Sequence, residues 1–289
     1  MNLEIKLENK IICKSPTRVD LAGGTLDMWP LNNFVGGATT INVAIDIWTT
    51  VEITELENFE IVIKSSDMNK EWRFENFFDF FDCFDQGLMF YQIIFSHFKP
   101  SLLSSKRGFE IVTASQSPIG GGLGGSSSLI ISILKSLHQL LRIKLPTVHN
   151  LVYLAHNIES EILRTPTGIQ DYYPAITGGL SFIECRATDV QQNILPINNT
   201  PFESHFLLVY TGRSHHSGLN NFEVLKSAVE GDIKVLNSLK QIKLISEEQK
   251  HAIQNKTWEV ISDLFKREYS ARIQLTPAFT SPEIEKLFE

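Results

Sequence analysis

The sequence predicts an α+β fold, on the evidence of one alternating segment, one helical segment and the length of the chain. Between Ile41 and Ile53 the apolar residues alternate with polar ones, the pattern of a strand with one buried face. Ile130, Leu134 and Leu137 recur instead at helical spacing. With 289 residues, of which 43% are hydrophobic and 20% charged, the chain is long enough for two modest domains with buried cores.

Shorter patterns predict the remaining elements. Further strands are predicted for residues 11–13, 60–64, 109–113 and 205–211. Helices are predicted to begin near Pro146 and to cover residues 220–244. The stretch that follows Asp189 is polar and rich in turn residues, so we expect a domain junction there, with domains over residues 1–190 and 191–289.

The segment from Phe74 to Phe98 is unusually rich in phenylalanine. It is interpreted either as a substrate lid or dimer patch, or as a helical piece that packs its rings into the core. We favour the core, because aromatic rings bury a large apolar area.

The net charge indicates which partners to exclude, and the cysteine content indicates the redox compartment. The net charge of −7 argues against nucleic acid and against anionic membrane surfaces. The N-terminus lacks a signal-peptide pattern and no apolar run reaches about 20 residues, so we expect a cytoplasmic protein that does not span a membrane. The three cysteines are far apart in the sequence and fit a reducing compartment, where we expect buried free thiols.

A glycine- and serine-rich loop, residues 115–128, directly precedes the helix that begins the apolar pattern of Ile130. The first N–H groups of a helix have no partner within the helix and carry partial positive charge, so a phosphate group can satisfy both. Glycine lets the backbone approach phosphate oxygens closely, and the serines add hydroxyl donors, one of which could reach a magnesium ion. The pattern GxxxxGK[ST] is absent. The loop therefore predicts a phosphate site of another type.

The stretch SPIGGGLGGSSS resembles the second motif of the GHMP kinases, the superfamily of galactokinase, homoserine kinase, mevalonate kinase and phosphomevalonate kinase. The matching residues are Pro118, Gly120, Gly122, Leu123, Gly124 and Ser126. Gly121 and Gly125 stand where the family usually has serine, so the loop here has fewer side-chain donors. The resemblance implies that this loop, from Pro118 to Ser127, binds the phosphates of ATP.

Two further stretches extend the resemblance to nearly the whole chain. SPTRVDLAGGTLD is similar to the first family motif, with Arg18 and Asp27 in register. Downstream, Glu159 lies twelve positions before Asp171, and Asp171 closes a G-x-x-D turn that begins at Gly168, as in galactokinase-like members. The C-terminal stretch is reminiscent of heptose-phosphate and fucose kinases.

The resemblance also implies roles for single residues. Asp171 would accept or orient the proton of the substrate hydroxyl, while Arg18 would hold that carboxylate ionised and stabilise charge on the transferred phosphoryl group. Ser126 and Glu159 would hold Mg²⁺. The expected substrate contacts are Asp27, Thr25, Gly24 and, more weakly, Arg213.

The implied fold has two domains: an N-terminal ATP-binding domain, of a left-handed βαβ type that also occurs in ribosomal proteins, and a ferredoxin-like C-terminal domain. Because the chain ends at Glu289 before the third glycine-rich motif of the family, we expect that second domain to lack its final part.

The implied function is that of an ATP- and Mg²⁺-dependent kinase acting on a hydroxyl of a sugar or sugar phosphate, as a monomer or homodimer. Two alternatives stay open. One is a mevalonate-type kinase, and the other is a non-catalytic nucleotide- or sugar-binding protein with the kinase fold.

Overall fold

An eight-stranded mixed sheet and a set of helices form the protein, which confirms the predicted α+β class. The computed structural model describes residues 5–7, 10–105, 107–198, 200–212, 214 and 217–288. The strands are β1 (Ile5–Leu7), β2 (Lys10–Ala22), β3 (Ala38–Glu55), β4 (Ile61–Ser65), β5 (Lys70–Phe74), β6 (Phe109–Ser115), β7 (Leu180–Cys185) and β8 (Val190–Leu195). The helices are α1 (Leu31–Phe34), α2 (Phe77–Asp82), α3 (Met89–Ser96), α4 (Lys99–Leu103), α5 (Gly125–Leu140), α6 (Val148–Leu163), α7 (Tyr172–Thr177), α8 (Ser217–Val229), α9 (Ile233–Asn255), α10 (Ile261–Arg272) and α11 (Pro282–Phe288).

Strand β3 is the long central strand on which the sheet is assembled. It pairs with β2 along most of its length, with β7 through its first half and with β6 through its second half. In that second half Thr49, Val51 and Ile53 are buried and alternate with half-buried residues, as the period of two predicts. The first six residues, 38–43, are all buried, and Ile41 and Val43 pack with residues of α9 in a hydrophobic cluster.

Two hydrophobic clusters place helices on the two halves of the sheet. The larger cluster joins β3, β4 and β6 to α3, α5, α6 and α7. A second cluster joins the end of β2, the start of β3 and β7 to α9 and α10. The second cluster brings the C-terminal helices against the end of β2, directly before the turn that carries the predicted substrate residues Gly24, Thr25 and Asp27.

Several predicted boundaries differ from the structure. The helix predicted for 220–244 is two helices, α8 and α9, because Gly231 has a φ of 82° and Asp232 caps α9 by accepting from Lys234 N and Val235 N. The strand predicted for 205–211 is wrong. Residues 206–210 have no regular structure and their side chains are exposed, since an apolar segment becomes a strand only when another strand pairs with it.

The predicted domain junction coincides with strand β8, which extends the sheet by pairing with β7 as far as Leu195. After Leu195 the described residues form helices and irregular segments without a strand, in contrast to the ferredoxin-like sheet that the resemblance implies. Cys13, Cys83 and Cys185 form no disulfide with one another; Cys13 and Cys185 are buried, as predicted, whereas Cys83 is only partly buried. Within the described ranges, no helix combines the length and apolar character needed to cross a membrane.

The phenylalanine-rich segment is mainly a core element. Phe77, Phe80 and Phe95 are buried in the larger cluster, and Phe80 packs edge-on against Phe74. Phe84, in contrast, is fully exposed.

We therefore expect Phe80→Ala to lower the free energy of unfolding by about 3–5 kcal/mol, because it opens a cavity in a packed aromatic cluster. Phe84→Ala, from the same segment, should stay within about 0.5 kcal/mol of the wild type. Urea denaturation followed by circular dichroism measures both. Equal losses for the two variants would contradict this assignment of the segment to the core.

Candidate active site

The predicted phosphate loop joins the end of β6 to the start of α5. Gly120, Gly122 and Gly124 have φ values of 71°, 75° and 68°, and Gly124 is the N-cap of α5. The first backbone bond of that helix runs from Ser128 N to Gly124 O, so the N–H groups of residues 125–127 precede the first intrahelical donor. The loop thus presents the partial positive end of a 16-residue helix, which suits an anionic ligand.

Arg18 connects strand β2 to this loop and to Asp171. Its Nε and Nη2 atoms lie 2.8 and 2.7 Å from Asp171 Oδ1. Its Nη1 atom donates to Gly122 O at 2.6 Å, and its backbone N–H donates to Leu123 O at 3.1 Å. Burial alone would lower the pKa of Arg18, but the surrounding carboxylates, Asp171 first, raise it, so the guanidinium stays charged.

Asp171 is the residue immediately before α7, and its side chain lies next to Gly124 of the loop. Both Arg18 contacts end on Oδ1, and the other oxygen, Oδ2, is turned toward Gly124. A Cβ atom at Gly124 would lie 3.1 Å from Asp171 Oδ2. A glycine is thus required here twice over, for its positive φ and for the space that the carboxylate occupies.

Glu159 joins three helices through one carboxylate. Its Oε1 atom accepts from Ser126 Oγ at 2.5 Å, and its Oε2 atom accepts from Ser127 Oγ and Tyr172 OH, both at 2.6 Å. Burial raises the pKa of Glu159, and the three hydroxyl donors oppose that shift. The hydroxyl of Ser127, predicted to contact phosphate, is therefore turned toward Glu159 instead.

Ser126 and Glu159 are the predicted magnesium ligands, and they lie together at the start of α5. A hydroxyl and a carboxylate oxygen in contact are an all-oxygen pair of the kind that Mg²⁺ accepts when phosphates and water supply its remaining ligands. Among the residues that the structure describes, no group of three or more His, Cys, Asp or Glu side chains could hold a metal by itself.

The predicted substrate residues lie on the turn that follows β2. Asp27 is 6% exposed, and its Oδ2 atom accepts from Gln170 N at 3.0 Å, which places it beside the turn that carries Asp171. Burial raises the pKa of Asp27 to about 6. Thr25 is buried with a φ of 77°, and Gly24 packs against Asp20. Arg213 lies outside the described residues.

Two residues near this turn were not identified from the sequence. Glu268 and Arg272, one helical turn apart on α10, contact each other and reach Gly23 and Asp20. Burial raises the pKa of Glu268, an effect that Arg272 opposes. Their spacing of four residues is the only local signal, and it is common on solvent-exposed helices.

The chain is similar to known kinases over most of its length. Residues 90–179 match the family described as GHMP kinases N terminal domain. The D-glycero-alpha-D-manno-heptose 7-phosphate kinase of Campylobacter jejuni is 25% identical over 282 residues, which cover 96% of this chain and 81% of that protein.

Solved structures share the fold. The mevalonate kinase of Methanococcus jannaschii superimposes with a TM-score of 0.69 at 20% identity, over 98% of this chain and 84% of the other. The galactokinase of Lactococcus lactis, solved with galactose, gives a TM-score of 0.69 at 16% identity, over 97% of this chain and 79% of the other.

The tight contact at the start of α5 gives a direct test of the phosphate loop. Gly124→Ala introduces a Cβ at a left-handed φ and against Asp171, so we expect it to weaken ATP binding by roughly tenfold or more, as measured by calorimetry. Gly231→Ala is the matched control: its φ is 82° but its Cβ would meet nothing within 4 Å. Unchanged ATP affinity in Gly124→Ala would show that nucleotide does not bind this loop.

Proposed function

We propose that this chain, whose residues 90–179 match the N-terminal domain family of the GHMP kinases, is an ATP-dependent kinase that transfers the γ-phosphate to a hydroxyl group of a sugar or sugar phosphate. The observation that carries the proposal is the Arg18–Asp171 pair, which lies against the glycine loop: Arg18 donates to Gly122 O and Asp171 lies beside Gly124. The Campylobacter jejuni relative, matched over nearly the whole chain, is a heptose 7-phosphate kinase, which supports a sugar phosphate as acceptor.

In the proposed mechanism the protein mainly positions two substrates and provides an acceptor for one proton. Phosphoryl transfer requires alignment of the acceptor hydroxyl with the γ-phosphate and stabilisation of the charge on the transferred group. Asp171 accepts the hydroxyl proton at Oδ2, the oxygen turned toward the loop, while Arg18 holds Oδ1. Arg18 also places positive charge beside the backbone of Gly122 and Leu123, next to the transferred phosphoryl group.

We further propose that Mg²⁺ takes part, held by Ser126 and Glu159. When bound, the ion neutralises charge on the ATP phosphates. Glu159 has a second task, because its bonds to Ser127 and Tyr172 fix the first turn of α5 relative to α7. The orientation of the phosphate loop and the position of Asp171 are therefore linked.

The charges around the acceptor position favour a hydroxyl-rich acceptor over mevalonate. Buried and half-buried carboxylates outnumber guanidinium groups there; the carboxylates are Asp20, Asp27, Asp171 and Glu268, and the guanidinium groups are Arg18 and Arg272. Carboxylates accept hydrogen bonds from the hydroxyl groups of a sugar, whereas a negatively charged group at this position, whether the carboxylate of mevalonate or the phosphate of a sugar phosphate, would be repelled, so the phosphate of a sugar phosphate would bind outside this cluster.

The rival interpretation, a binding protein without turnover, is opposed by the same pair. A protein that only bound nucleotide or sugar would gain nothing from a half-buried Asp171 aimed at the loop and held by two Arg18 nitrogens.

The central test is ADP release measured with a panel of hexoses, heptose phosphates and mevalonate. We expect turnover with a sugar or sugar phosphate, and we expect Asp171→Asn to lower kcat by about 10²–10⁴-fold because the general base is lost. Asp263→Asn removes an exposed carboxylate of α10 and serves as the control. Tight ATP binding without turnover on any acceptor would favour the rival, and turnover on mevalonate alone would replace the sugar proposal.

A second prediction concerns pH. Since the pKa of Asp27 is raised to about 6, this side chain is a carboxylate above that pH and loses its capacity as a pure acceptor below it. If Asp27 accepts a substrate hydroxyl, kcat/KM for the acceptor should fall as the pH drops below about 6, while the KM for ATP changes little. Asp27→Asn should raise the acceptor KM and remove this step from the profile. A step that persists in Asp27→Asn would assign it to another group.

A further inference from the structure

Helix α10 reaches the acceptor turn through a buried pair of charged side chains. Glu268 is 5% exposed, and its Oε1 atom accepts the backbone N–H of Gly23 at 3.0 Å. Arg272 Nη2 donates to the same Oε1 at 2.6 Å and lies 3.5 Å from Asp20 Oδ2. The turn between β2 and α1 is thus hydrogen-bonded to a helix that lies about 245 positions further along the chain.

The turn has little room to move while these contacts persist. A Cβ atom at Gly24 would lie 1.8 Å from Asp20 Oδ2 and 3.0 Å from Arg272 Nη2, so the backbone of Gly24 packs directly against the side chains of Asp20 and Arg272. Thr25 then adopts a φ of 77°, a conformation that a non-glycine residue holds only when its surroundings enforce it. Asp27 follows two residues later.

Packing alone does not account for this arrangement. Burying a carboxylate is unfavourable unless it is fully paired, and within the described part of the chain Glu268 Oε2 has no hydrogen-bond partner. An apolar residue of similar size would fill the same space between α10 and β2 at lower electrostatic cost. The carboxylate makes two contacts that an apolar residue cannot: it pairs with Arg272, and it accepts the N–H of Gly23.

We propose that Glu268, supported by Arg272, is a positioning residue for the acceptor: by holding Gly23 it sets the turn of residues 23–27 so that Asp27 faces Asp171. This inference rests on the proposed function for its kinetic consequence. It assigns control of acceptor affinity to a helix of the C-terminal part of the chain, while ATP binding depends on the loop of residues 118–127.

The test combines kinetics with hydrogen exchange. Glu268→Ala should raise the acceptor KM by roughly tenfold or more, the effect of losing a buried hydrogen bond to a charged group, and should leave the KM for ATP within about twofold. Glu268→Gln retains an oxygen that can accept from Gly23 N–H, so it should restore part of the acceptor affinity. Glu248→Ala is the matched control, because it breaks an exposed ion pair between α9 and Arg267 of α10 without touching the turn.

Hydrogen exchange followed by mass spectrometry tests the positioning without any turnover. The peptide that contains residues 20–27 should exchange faster in Glu268→Ala than in Glu248→Ala, because only the first variant releases the Gly23 amide. Equal exchange in the two variants overturns the inference whether or not the protein is a kinase. With an active wild type, an unchanged acceptor KM in Glu268→Ala overturns it and leaves the proposed function standing. An inactive wild type contradicts the proposed function instead.

Discussion

The ion pair between Arg18 and Asp171 is the contact on which the geometry of the candidate site depends. One guanidinium group joins strand β2 to the turn before α7 and to the carbonyl of Gly122, which lie 153 and 104 positions away from Arg18 in sequence. Both partners are largely shielded from water, so the loss of either would leave an uncompensated charge beside the phosphate loop. The pairing of β2 with β3 and the packing of α5 on that pair keep Arg18 and the loop in register.

The residues of the candidate site that could be predicted from sequence are those that stand in short continuous motifs, Arg18 among them. The glycine loop and the turn that ends at Asp171 are continuous stretches, so a motif describes them. Glu268 could not be found in this way, because its partner Gly23 is 245 positions away and nothing around it differs from an ordinary amphipathic helix. Tyr172 was missed for a similar reason, since its bond to Glu159 depends on how α6 and α7 pack.

The fold shows the same division between local and distant determinants. The alternation in residues 41–53 predicted part of β3, since one face of that strand segment is buried. The apolar segment 206–210 has the composition of a strand but is unpaired in the structure, and strand formation depends on a partner as much as on composition. Strand β8 was interpreted as a polar junction because its side chains are mostly exposed at the edge of the sheet.

Helices α9 and α10 cover one face of β3 and β7, so the part of the chain before β8 depends on the part after it. Leu21, Ile41 and Phe182 are buried only because the C-terminal helices pack over them. An isolated piece that ended after β8 would present this apolar sheet face to water and would be prone to self-association. The parts of the chain before and after β8 therefore depend on each other for a buried core, and the gene would tolerate recombination poorly at the boundary that its own composition predicts.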